Sequence, residues 1–150
     1  MSKRDDLITE LIRRLKSSFV GTRIYAGDGG VWGKWGRALP AIHYYESPAD
    51  MTLKRPGVYD ITLPIQVEYF VRLGKKGDLF PEGREKLGEL QAALELDERF
   101  KSDDTGQELV YTYSMVANEI VEVLDHVVGV AVIYEFKFTD VFLGYEQYRH

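Results

Sequence analysis

The sequence contains no cysteine, which excludes a disulfide framework and any thiolate metal site. Nothing about compartment follows, because disulfide-free proteins occur in all of them. Histidine is nearly as scarce: His43, His126 and His150 are scattered and show no metal-type spacing. No apolar run approaches the roughly 18 residues of a membrane-spanning helix. The opening Met1-Ser2-Lys3-Arg4-Asp5-Asp6 is charged and passes straight into an amphipathic pattern. It lacks the apolar stretch and cleavage site of a secretory signal, so the chain is expected to stay in the cytosol unless it leaves inside something larger. Basic charge is also short. Nineteen Lys and Arg face 24 Asp and Glu, a net charge of −5, whereas nucleic-acid binding draws most of its affinity from clustered cations. The two short basic clusters, Arg13-Arg14-Lys16 and Lys75-Lys76, read as solvated surface.

Catalytic and ligand motifs are lacking too. In the loop Gly27-Asp28-Gly29-Gly30-Val31-Trp32-Gly33-Lys34-Trp35-Gly36-Arg37, a phosphate-binding P-loop would need glycine at 28 and Ser or Thr at 35, where Asp28 and Trp35 stand. A dinucleotide fingerprint would need glycine at Trp32, and both motifs follow a strand, whereas a helix precedes this loop. Asp104-Thr105-Gly106 matches the aspartic-protease triplet in letters, but follows Lys101-Ser102-Asp103 rather than an apolar strand; it reads as an Asx turn. No serine sits in a Gly-x-Ser-x-Gly elbow. Asp60 and Glu68 read as surface rather than as an acid/base pair. The expectation is a protein that is not an enzyme and uses no cofactor.

What the chain does have is one very long alternating segment. From Tyr59 to Leu73 every odd position is apolar (Tyr59, Ile61, Leu63, Ile65, Val67, Tyr69, Val71, Leu73) and the even positions are mostly polar. Fifteen residues of period-two alternation predict a strand of about 50 Å with one buried face. Typical strands have about five or six residues, so part of this one is expected to find a partner outside its own core. Pro64 cannot donate to a ladder, and marks an edge, a bulge or the point where the strand leaves the sheet.

Around it, the pattern predicts a helix from Asp5 to Phe19, with Leu7, Ile8, Leu11, Ile12, Leu15 and Phe19 on one stripe and Ser2 or Asp5 as cap. The glycine-rich loop, a short strand Ala41–Tyr45 and a loop over 46–57 follow. After the long strand come a turn at 74–77 and a helix from Pro81 to Phe100 capped by Asp78, with Leu87, Leu90 and Leu94 as its stripe and Gly88 allowing close packing on the sheet. Its outer face is acidic. A polar turn (102–106) precedes strands at Leu109–Ala117 and Glu119–Leu124, a hairpin at His126–Gly129, and a last strand, Val130–Phe142, alternating through Val132, Tyr134, Phe136 and Phe138. One domain over 1–150 fits, of the α+β class: a mixed, mostly antiparallel sheet with one very long strand, packed by two helices.

Candidate partner-facing residues follow from composition and place. Trp32, Trp35 and Arg37 are hot-spot types on a pliable loop, though the tryptophans can equally fold back over the core as a lid. Met51, Leu53 and Arg55 lie in the 46–57 arm, and Tyr69 and Arg72 on the outer long strand. Tyr145 and Tyr148 lie in the segment Leu143–His150, which reads either as an anchor or as a frayed end.

In its whole layout the chain resembles the tail terminator (tail completion) proteins of long-tailed double-stranded DNA bacteriophages. The resemblance rests on the amphipathic first helix (Leu7-Ile8, Leu11-Ile12, Leu15), the short strand Ala41–Tyr45, the very long strand Tyr59–Leu73, the helix Glu85–Leu94 and the aromatic last strand Val130–Phe142. It covers nearly the full chain and carries no catalytic or ligand motif. It implies a structural virion protein at the head-proximal end of the tail, assembled in the host cytoplasm, and forming a homohexameric ring. The ring would cap the tail tube protein, end its polymerisation and present a surface to a neck or head-completion protein. Genomic DNA would pass through its lumen without specific binding, which suits the net charge of −5. A neck connector, or a small α+β ligand-binding domain or enzyme with its pocket under the glycine-rich loop, stays open as an alternative.

Overall fold

A computed structural model of the chain describes residues 2–27, 39–73, 78–124 and 126–141. Among these, two helices, α1 (Lys3–Ser18) and α2 (Leu79–Leu94), accompany six strands: β1 (Arg23–Ala26), β2 (Ala41–Glu46), β3 (Asp50–Arg55), β4 (Val58–Arg72), β5 (Thr112–Leu124) and β6 (Val127–Val141). The sheet order is β1-β2-β4-β6-β5, with β3 pairing β4 beside β2. Only β1 and β2 run parallel; the other pairings are antiparallel. The fold is α+β, as the alternation predicts.

β4 is the axis of the sheet. It pairs residue for residue with β6 from Val58↔Val141 to Arg72↔Val127. Its odd-numbered apolar residues from Ile61 to Val71 are buried. They meet Val128, Val130, Val132, Tyr134, Phe136 and Phe138 of β6, and both helices cover that face with Leu7, Leu11 and Leu15 of α1 and Leu90, Ala93 and Leu94 of α2. Pro64 lies inside this strand rather than at its end. Its carbonyl accepts from Ser47 N–H (2.9 Å), and a strand residue's N and O point to the same side. The missing donor therefore faces the short break between β2 and β3, and no bond to β6 is lost.

Several boundaries differ from those the sequence predicts. The 46–57 segment is not a loop: six of its residues form β3, and Gly57, at φ +80°, makes the hairpin turn into β4. β1 is a strand the pattern does not reveal. The two pieces expected after residue 109 are one strand, β5, with irregularities at Met115/Ala117 and Glu122/Leu124. The final hairpin is tighter than expected, with His126 at φ +62° just before β6. Ser2, not Asp5, caps α1, accepting from Asp5 N–H (3.2 Å), and the backbone N–H groups of Lys3 and Arg4 each donate to Asp140 (3.3 Å). α2 stops at Leu94, six residues early, because distant groups take its last carbonyl: Arg14 Nη1 (2.8 Å) and Tyr113 Oη (3.3 Å) both donate to Leu94 O.

The close approach of α2 to the sheet uses Gly83, not Gly88. A Cβ built on Gly83 would run into the Ile120 side chain, whereas one on Gly88 meets nothing within 4 Å. Gly83→Ala is therefore expected to destabilise by about 1–3 kcal/mol through overpacking. Gly88→Ala is expected to stabilise by up to about 1 kcal/mol through helix propensity. Thermal unfolding of the two variants reads this opposition of sign directly.

Candidate interaction surface

Three strands of the sheet have an edge without a strand partner among the described residues: β1, β3 and β5. β1 has four residues, β3 six and β5 thirteen. Unpaired ladders of that length are templates for another chain. β3 is the most accessible, since every one of its residues is exposed. It includes two large apolar side chains, Met51 (43% exposed) and Leu53 (58%). Across the hairpin they stand opposite Ile61 and Tyr59, on the helix-bearing side of the sheet. Thr52 stands opposite Asp60, on the other side. Lys54 and Arg55 complete the strand beside the turn.

The opposite edge carries its own exposed apolar groups, Tyr111, Val116 and Val121. Val116 is the extra residue of the bulge between Met115 and Ala117, a device that limits edge pairing to one side of it. Where β5 begins, an open cleft of about 530 Å³ is lined by Glu95, Leu96, Asp97, Glu98, Arg99 and Tyr111–Tyr113. On the far side of the sheet, Tyr111 Oη is hydrogen-bonded to Thr139 Oγ1, which in turn donates to Asp60 Oδ1 (2.8 Å).

The buried Glu10–Arg14 pair and Tyr134 are committed to structure. Arg14, placed on the surface by its basic neighbours in sequence, is in fact 2% exposed. Its Nε donates to Glu10 Oε2 (2.6 Å), Nη1 to Leu94 O (2.8 Å), and Nη2 to Asp97 Oδ2 and Lys101 O (both 3.1 Å); its guanidinium lies 3.9 Å above the Phe100 ring. Glu10 also accepts from Arg13 and from Asp103 N–H (3.0 Å). The clamp ties α1 to the segment that leaves α2, and its donors and acceptors are spent on each other. Tyr134 donates to Glu95 (2.7 Å), and burial and that carboxylate push its phenol well above the ordinary value. Asp104-Thr105-Gly106 is a turn, organised by Ser102, which accepts from Thr105 N–H at its Oγ and from Gly106 N–H at its carbonyl. Among the described residues there is no group of three or more potential metal ligands, and no helix is long and apolar enough to cross a membrane.

Of the partner-facing residues read from sequence, Met51, Leu53, Arg55 and Arg72 are exposed. Met51, Leu53 and Arg55 are brought together on β3, while Arg72 closes the far end of β4. Tyr69 is not on the surface: it is 6% exposed and packs edge-on against Phe19 with centroids 4.9 Å apart, so its odd-numbered place in the alternation puts it in the core. Trp32, Trp35, Arg37, Tyr145 and Tyr148 lie outside the described residues.

No family model and no curated protein matches the chain. Among solved structures, two proteins from Akkermansia muciniphila align over 90% of this chain at 13% identity and a TM-score of 0.36, covering 75% and 82% of their own lengths. One of these is described as lacking its transmembrane region. A likeness of that depth bears on neither fold nor function.

The clamp has a pH signature. Burial alone would raise the Glu10 pKa, but hydrogen bonds from Arg13, Asp103 N–H and Arg14, with the Arg14 charge, bring it from 4.5 down to about 2. A depressed carboxylate stabilises the fold above its unfolded pKa and loses that contribution as pH falls through the folded value. About 3 kcal/mol is thus expected to disappear between about pH 4.5 and pH 2. Glu10→Gln should flatten this part of the stability–pH curve in urea titrations. Arg14→Met, which removes the buried ion-pair partner of Glu10 and the donors to Leu94 O and Lys101 O, should cost about 3–5 kcal/mol at pH 7.

Proposed function

We propose that the chain is a structural assembly subunit: a tail-terminator-like protein that forms a ring on the end of a phage tail tube, ends tube growth and offers its other face to the neck. The observation that carries this reading is the β3–β4 hairpin, a six-residue strand exposed along its whole length and held out on the fifteen-residue strand at the centre of the sheet. A strand that buries nothing of itself adds little to the monomer, and its apolar Met51 and Leu53 gain most by burial against another protein.

The rest of the surface is in keeping with a capping role. Open edges lie at opposite ends of the sheet, as a heterologous and closing interface requires. Net charge of −5 per copy disfavours retention of DNA in a lumen. In this reading capping proceeds by occupying a growing edge and not by chemistry. In this mechanism one face of the ring takes the place of the next tube ring, and the other lacks the edge that a further tube subunit would need.

Co-sedimentation with purified tail tubes tests this against the neck-connector and ligand-binding readings, since a terminator binds tube ends directly. Met51→Ser with Leu53→Ser, both at exposed positions, should leave the unfolding temperature within a few degrees. It should lower binding to tube ends tenfold or more. Wild-type protein that stays in the supernatant with tubes present would overturn the terminator reading.

A further inference from the structure

The two longest open edges of the sheet are complementary. Across β3-β4-β6-β5 each neighbouring pair is antiparallel, so β3 and β5 run in opposite directions. Placed beside a second copy in the same orientation, β5 of one molecule meets β3 of the next in the antiparallel sense, and the alternation continues unbroken. From this we propose that the partner of β3 is a second copy of this chain, and that β3 pairs with the first half of that copy's β5, Thr112–Val116, with Leu53 opposite Tyr113. The proposal deepens the ring reading and rests on it.

The register follows from the pleat, which requires residues directly opposite to share a face. Met51 and Leu53 are on the helix-bearing face, as are Tyr113 and Met115, which pair with the buried Phe136 and Tyr134. Leu53 opposite Tyr113 places Met51 opposite Met115, apolar against apolar. On the other face Thr52 then meets Ser114. The regular part of β3, Asp50–Leu53, occupies Tyr113–Val116, up to the Val116 bulge; past Leu53 the strand is itself irregular, with Lys54 as the extra residue, so pairing stops at both ends. A slip of one residue would set Leu53 against Thr112 or Ser114, polar positions of the opposite face.

Charge agrees with the register. It brings the turn end of β3 toward Tyr111–Thr112. Lys54 and Arg55 arrive beside the cleft that holds Glu95, Asp97 and Glu98. The interface is heterologous: one copy gives β3, the other β5. Such an interface repeats until it closes into a ring or runs on as a filament.

The cysteine-free sequence makes a clean test. Thr52 and Ser114 are exposed and directly opposite in the proposed register, with Cβ atoms about 4.5–5.5 Å apart, near enough for a disulfide after small adjustment. Within one molecule three strand spacings, about 14 Å, separate them, so no internal bond can form. Full-length Thr52→Cys/Ser114→Cys protein under mild oxidation should give a ladder of covalent oligomers on non-reducing gels. The two single variants should cross-link when mixed and not when separate. Protein that sediments as a ring but gives no Thr52→Cys to Ser114→Cys bond would overturn this interface and leave the ring reading standing. So would preferential bonding of Thr52→Cys to Glu119→Cys. Wild-type protein that remains monomeric at every concentration would overturn both.

Discussion

Everything in this molecule is hung on β4. Its fifteen residues are paired on one side with β6 along their entire length and on the other with β2 and then β3. A strand held on both sides cannot slip by one residue without turning its buried row out to solvent, so it fixes the register of every neighbour. The helices follow from the same constraint, since the apolar face they cover joins the odd-numbered row of β4 to the row of β6 paired with it. Because β4 is longer than the sheet segment behind β2, its first residues carry β3 beyond that strand.

Period-two alternation made β4 and β6 legible, and period 3.6 made both helices legible. β1 escaped because four residues are too few to show a period. β3 escaped because Pro48, Asp50, Pro56 and Gly57 punctuate it like a loop and because, with every residue exposed, it has no buried face to alternate. The end of α2 was hidden for another reason: its last carbonyl, that of Leu94, accepts from Arg14 and Tyr113, side chains far away in sequence.

Two misplacements had a signal in the sequence. Gly83 lies four, seven and eleven residues before Leu87, Leu90 and Leu94, on their stripe, whereas Gly88 lies off it. Glu10 and Arg14 fall three and seven residues after Leu7, within the apolar stripe of α1, and an acid and a base at i and i+4 there announce a buried pair. Tyr69 shows the converse, since its place in the odd-numbered row of β4 was the stronger guide than its chemistry as an interface residue. The candidate surface was half legible: Met51, Leu53 and Arg55 could be named as an arm, but the complementary edge at Thr112–Val116 depends on sheet order, which no local pattern carries.

The buried polar groups and the open edges divide the labour. Inside, Glu10 and Arg14 satisfy one another and, with Asp97 bonding Arg14 from the surface, secure α1 to the end of α2. Outside, the edges of β3 and β5 have no strand partner among the described residues, with apolar and charged side chains arranged along them. In the proposed reading such a molecule is built to be added to. The most direct measurement of that claim is sedimentation velocity of the wild-type chain over a wide concentration range. The account predicts a single closed species at a fixed multiple of 17.2 kDa, growing at the expense of monomer; a 17.2 kDa species alone, at every concentration, would contradict it.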